Sequence, residues 1–323
     1  MLNLRTSEPS VPPVAELQLA PDVIHPDSDE IEASVHRWVS ERGLADRGDA
    51  LVLARMPRLA ARMYPDSPAE RVEGYARWIM LLFALDDRSE HDSSRPQDIH
   101  DLYERIEAAL AGHVPTSDDP LVRAVQEQWR PLTDRMSSAW LNRFTRHLAL
   151  HGQAMAWEAV LRAERRTPSL AAFMDLRLWS NGMFMWDLIE TVHPREVPAE
   201  LTRSLAWRYL TTASNQITAW RNDIVSLPSE MASGNHDNYV LVLAQALGCD
   251  RDVAVALVEQ QIAQRIDDLP GYEHALRAQA RGLSAEDAQA MTDTMTTLPT
   301  MVAAHARWVM ESVRYSASHH RAA

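Results

Sequence analysis

Asp86, Asp87 and Glu90 stand at i, i+1 and i+4, where the apolar run WIMLLFAL ends. On a helix turning ~100° per residue, Asp86 and Glu90 share a face and Asp87 lies beside them. With Asp92, residues 83–92 gather four carboxylates against Arg88 alone. Like charges at that spacing repel, and acids at a helix C-terminus also oppose the macrodipole. A solvated acidic helix end is the plain explanation. The chemical one is a cation: hard oxygen ligands on one face suit Mg²⁺, which is held by one or two carboxylates plus phosphates and waters. A second stripe strengthens the chemical one. Asn222, Ser226 and Glu230 recur at i, i+4 and i+8, drifting only ~80° in all, so an amide, a hydroxyl and a carboxylate line up to chelate one ion. Pro228 removes the hydrogen bond to the Ile224 carbonyl and is expected to kink the helix there, moving Glu230 off the stripe.

These groups need elements to hold them, and the elements read as helices. Residues 1–26 carry Pro9, Pro12, Pro13, Pro21 and Pro26 and read as an extended arm. From 27 to 316 the chain is a succession of helical patterns with Ser, Asp or Pro starts and Gly stops, and 317–323 form a tail. Alternating Val/Ile/Thr runs, the strand signature, are absent. The expected fold is all-α, a single domain. Runs such as WIMLLFAL and LWSNGMFMWDLI are apolar beyond one stripe, so those helices are buried or line an apolar cavity. Gly182, inside the second run, costs ~1 kcal/mol relative to Ala in a helix and asks for a structural reason.

The bulk numbers narrow the partners. A formal net charge of -13 over 323 residues argues against nucleic acid. The chain contains no lysine, so any phosphate contact from a basic side chain comes from Arg or His, and Arg suits bidentate contact. Cys249 is alone and makes no internal disulfide, which fits a reducing, cytoplasmic setting. No signal peptide and no apolar run of ~18 residues is present, so no membrane span is expected.

Phe83-x-x-Asp86-Asp87-x-x-Glu90 resembles the aspartate-rich motif of class I terpene synthases, and Asn222-Asp223-x-x-Ser226-x-x-x-Glu230 is similar to their second metal motif. Arg177, 45 residues before Asn222, stands where bacterial members carry an arginine that senses diphosphate. Arg314-Tyr315 resembles their terminal Arg-Tyr pair. The resemblance covers roughly residues 30–316. Departures are Ser229 where Lys is common, Pro228 inside the motif, and Glu90 in place of Asp.

The resemblance implies a helical bundle around an apolar cavity. It implies three Mg²⁺ ions held by Asp86, Asn222, Ser226 and Glu230, with Asp87 and Glu90 beside them. Arg177, Arg314 and Tyr315 would bind the diphosphate of a prenyl diphosphate substrate. The C–O bond ionises and the allylic cation cyclises, releasing diphosphate. A helix break would place Ser180 as linker and the Asn181 carbonyl as a trigger of ionisation. Phe83 and Trp308 would offer aromatic faces to the cation, with Trp78, Trp179, Phe184 and Trp186 as further candidates for cavity wall or plain core. His113, His147, His151 and His236 fit no metal spacing and read as structural or surface. Farnesyl diphosphate (C15), giving a sesquiterpene, is the expected substrate. Geranylgeranyl diphosphate (C20), a chain-elongating prenyltransferase and a non-catalytic helical binding protein stay open as alternatives, as does a homodimer.

Overall fold

The computed structural model describes residues 23–46, 48–90, 95–113, 117–233 and 237–312, which are helical with no strand. In chain order the helices are α1 (Ser28–Glu41), α2 (Ala50–Leu53), α3 (Pro57–Met63), α4 (Ala69–Glu90), α5 (Pro96–Leu110), α6 (Pro120–Arg135), α7 (Ser138–Glu164), α8 (Leu170–Ser180), α9 (Phe184–Val192), α10 (Ala199–Thr202), α11 (Leu205–Ser233), α12 (Tyr239–Leu247), α13 (Arg251–Gln279) and α14 (Ala285–Glu311). Serines start three of the long ones. The side chains of Ser137, Ser169 and Ser284 accept from the amides of Trp140, Ala172 and Asp287 at 3.1–3.3 Å, satisfying donors a helix leaves open. Of the expected arm, only its last residues fall among those described. There the His25 amide donates to the Ala61 carbonyl at 3.0 Å and pins α3.

Helix α4 is central. It packs against α1, α3, α6, α7 and α9, while α14 packs on α3 and α11, and α11 lies along α13. Two features add to the sequence reading. Residues 50–63 form α2 and α3, which periodicity did not announce because Arg55 interrupts them at φ 54°. Arg55 is held in that left-handed conformation by two bonds to Glu32, at 2.9 and 2.7 Å. Pro228 does not end α11, which continues to Ser233. Most aromatic rings serve the core. Trp129, Trp140 and Phe144 stack with centroids 5.2–6.4 Å apart, and Trp78 and Phe184 meet Phe144 edge-on. Gly152 lets α5 close on α7: a Cβ there would sit 2.4 Å from the Tyr103 ring.

Candidate active site

One face of α4 forms a wall. Tyr75, Ile79, Leu82, Phe83 and Asp86 line a chamber, and at ~1.5 Å per residue the column from Tyr75 to Asp86 is about 16 Å long. The polar rim takes Asp86 from α4, Arg177 from α8 and Asn222 from α11. Thr218 lies one turn below Asn222, and Met185 and Trp186 of α9 continue the wall. Leu59 and Met63 of α3, with Met301 and His305 of α14, complete the lining. The polar atoms of the lining Tyr and Trp are engaged elsewhere. The Tyr75 hydroxyl donates to the Met185 carbonyl at 3.3 Å, and the Trp186 indole N–H to Ser214 Oγ at 3.1 Å. The rings therefore present carbon to the chamber.

The break between α8 and α9 falls at residues 181–183. Gly182 adopts φ +73°, the left-handed region that disfavours a side chain. A Cβ there would also lie 2.8 Å from Leu82 Cδ1, a residue of the chamber wall. Asn181 is fastened across to α11, its amide donating to Thr218 Oγ1 at 3.2 Å and to the Asn215 carbonyl at 3.4 Å. Ser180 Oγ accepts from Arg177 at 3.4 Å.

Arg177 is the hub of the charge. Its guanidinium donates twice to Asp223, Nη2 to Oδ1 at 2.6 Å and Nε to Oδ2 at 3.2 Å. Burial works against the Arg177 charge, but the Asp223 carboxylate outweighs it and raises the pKa. Asp223 is fully buried and takes a further bond from the Tyr239 amide at 3.1 Å. Two more acids crowd the hub. Burial pushes Glu158 of α7 up to about 8, with Asp237 adding to it and Arg177 opposing. Burial pushes Glu230 up to about 7, with Asp223 adding. Asn238 starts α12 and ties it to this cluster: its Oδ1 accepts from the Val240 amide at 2.9 Å, while Nδ2 donates to Glu230 and to the Asp223 carbonyl, both at 2.6 Å. The opposed macrodipole at the end of α4 is answered by a cation, since Arg162 donates to the Ser89 carbonyl at 2.8 Å and reaches Asp237 at 3.4 Å.

Of the residues singled out from sequence, Phe83, Asp86, Arg177, Ser180, Asn181 and Asn222 meet at the chamber. Ser226 and Glu230 follow Asn222 one and two turns on, with Ser226 Oγ donating to the Asn222 carbonyl at 2.9 Å. Asp87 is turned away, lining a separate depression with Ala84, Arg88 and Asp119. The backbone of Glu90 ends α4, and its side chain lies outside the described residues, as do Arg314, Tyr315 and His236. Trp308 is set one layer back: its ring meets Phe83 edge-on at 5.5 Å, and its N–H is bound to the Ala54 carbonyl at 2.8 Å. Trp186 reaches the wall, whereas Trp78 and Phe184 are core and Trp179 lies against His147. His147 pairs with Asp187 at 2.7 Å, and His151 is fully buried beside Phe184. Sequence reasoning missed Glu158, Asn238, His305 and the α3 pair. The signals were present but small: an acid inside the apolar AMAWEAVL, and an Asn just before the apolar YVLVLAQAL.

The donor set suits a hard divalent cation. It is all oxygen, and it holds more buried carboxylate than Arg177 alone neutralises. Residues 77–268 match a family model described as terpene synthase family 2, C-terminal metal binding. The chain is 30% identical over 307 residues to a (+)-T-muurolol synthase, (2E,6E)-farnesyl diphosphate cyclizing, of Roseiflexus castenholzii, covering 92% of this chain and 91% of that one. It is 29% identical to a (-)-delta-cadinene synthase of Streptomyces clavuligerus, over 91% and 93% of the two chains. In fold it is similar to a cucumene synthase variant, with TM-score 0.81 at 24% identity over 92% and 99% of the chains. It is also similar to germacradien-4-ol synthase from Streptomyces citricolor, with TM-score 0.79 at 22% identity over 90% and 96%.

Proposed function

Because this chain belongs to the terpene synthase family, we propose that it ionises farnesyl diphosphate in the presence of magnesium and closes the resulting cation into a sesquiterpene. The observation that carries this is the rim: Asp86, Asn222 and Arg177 come from three helices to line one largely apolar chamber. Asp86 would hold magnesium on one side, and Asn222, Ser226 and Glu230 on the other, with three ions as the proposed count. Magnesium bound there supplies Lewis-acid stabilisation of the charge developing on the leaving diphosphate. Arg177, held in place by Asp223, binds diphosphate oxygens through charge-assisted hydrogen bonds, and Arg314 and Tyr315 are assigned the same task. Ser180 and Asn181 set the helix end beside the reacting C–O bond. Phe83, backed by Trp308, and Trp186 offer aromatic faces to the cation. The apolar wall keeps out water that would quench it.

The C15 substrate is supported by the relative of Roseiflexus castenholzii, a (+)-T-muurolol synthase that is (2E,6E)-farnesyl diphosphate cyclizing. No helix among the described residues is long and apolar enough to cross a membrane. The test is incubation with C10, C15 and C20 prenyl diphosphates and Mg²⁺, with products identified by gas chromatography and mass spectrometry. Folded protein that releases no terpene from any of them overturns the reading, and faster turnover of the C20 substrate overturns the chain length.

A further inference from the structure

His305 lines the chamber from α14, and nothing in the motifs accounts for it. Its Nδ1 is buried without a hydrogen-bond partner. The ring tilts against Trp308, centroids 5.8 Å apart, and Trp308 in turn backs Phe83. The imidazole therefore sits within one helical turn of the aromatic wall that faces the cation. A neutral imidazole always keeps one nitrogen with a lone pair, whichever nitrogen carries the hydrogen.

Resting on the cyclase reading above, we infer that His305 is the base that takes up the proton ending the reaction. The other polar groups of the chamber are committed. Thr218 donates to the Asn215 carbonyl, Ser180 accepts from Arg177, and the Tyr75 hydroxyl donates to the Met185 carbonyl. Asp86 and Asn222 belong to the metal rim, and amides are too weakly basic. In the final step a C–H bond next to the cationic carbon breaks. Its electron pair becomes the π bond of the alkene, and the proton goes to the imidazole lone pair. The imidazolium passes that proton to the diphosphate already released in the first step, and the ring is neutral again. Burial, then the nearby Arg221 and Arg177, push His305 down to about 3, so the base enters each cycle unprotonated. A carbocation is a far stronger acid than an imidazolium, so low basicity does not impede the transfer, and it favours the onward step to diphosphate.

The test separates ionisation from termination. His305→Phe keeps the ring size without a lone pair, and His305→Asn keeps polarity without basicity. Diphosphate release and product mixture are measured with farnesyl diphosphate and Mg²⁺, with circular dichroism melts alongside. Expected is diphosphate release within about threefold of the native rate, together with a share of the native principal product at least roughly fivefold lower, replaced by other alkenes or by alcohols from water capture. An unchanged product mixture from either variant overturns the proposal. So does loss of diphosphate release in folded variants, which would put the ring in ionisation instead. Should His305→Phe melt below the assay temperature, His305→Gln takes its place under the same criteria. Failure of the native protein to release diphosphate would refute the cyclase reading, a distinct outcome.

Discussion

Replacing Gly182 by alanine tests the helix break directly. At φ +73° a Cβ meets the backbone strain of the left-handed region, about 1–2 kcal/mol for an L-residue. The new methyl also lies 2.8 Å from Leu82 Cδ1. That atom ends a flexible side chain and can retreat at small cost, but it retreats within the chamber wall. The stability loss is therefore about 1–2 kcal/mol and mainly backbone. For a chain of 323 residues, an unfolding entropy of ~2.1 cal/mol/K per residue turns this into a fall in Tm of about 1.5–3 °C. Gly74→Ala is the control. Gly74 lies inside α4, and a methyl added there would have no atom within 4 Å, so the same chemical change should stabilise by about 0.5–1 kcal/mol. Circular dichroism melts of both variants without metal read opposite signs. Product analysis of Gly182→Ala should also show an altered mixture, since Leu82 has moved. A Gly182→Ala protein that melts at or above the native Tm would refute the reasoning.

Three more outcomes are expected. Asp86→Ala should lower kcat/KM at least ~100-fold with an unchanged far-ultraviolet spectrum, since the α4 carboxylate proposed to hold magnesium is lost; retained activity would undo the metal assignment. Asp223→Asn leaves Arg177 buried without its bidentate partner and should cost about 3 kcal/mol, the low end for a broken buried pair because Glu158 and Glu230 remain close; urea unfolding checks it. Glu158 is raised to about 8, and Glu230 and the buried Glu190 to about 7, so between pH 6.5 and 8 the folded chain binds protons that the unfolded chain does not. Stability without metal should then fall by about 3 kcal/mol as pH rises through that window. Below pH 6.5 the buried His151 and His305, lowered to about 4 and about 3, act the other way, because the unfolded chain takes up protons that they refuse. Urea midpoints that climb from pH 6.5 to 8 would contradict the assignment of the three acids.

The helices and the rim were legible because they rest on local rules. Period, caps and i+4 spacing are properties of neighbouring residues, and Asp86 and Asn222 could be picked on spacing, whereas Arg177 came only from the family resemblance. What stayed hidden depends on long-range packing. Asp87 shares the motif with Asp86, yet one residue of helical rotation carries it to another surface. Trp308 and Phe83 are equally aromatic, and only the carbonyl of Ala54, 254 positions away, decides which stands behind. Pro228 looked like a break in the second motif, but α11 continues through it. Glu158 leaves only a faint local trace and His305 none, since their importance comes from burial: packing removes water from both, and a partner from His305 Nδ1.

The chamber is drawn from unequal parts of the chain. The rim residues Asp86, Arg177 and Asn222 fall inside the stretch 77–268 that matches the metal-binding family model, whereas Leu59, Met63, Tyr75, Met301 and His305 fall outside it. Part of the wall that surrounds the cation is thus encoded outside the stretch that supplies the rim. Substitutions in α3 or α14 therefore reshape the chamber wall without touching Asp86, Arg177 or Asn222.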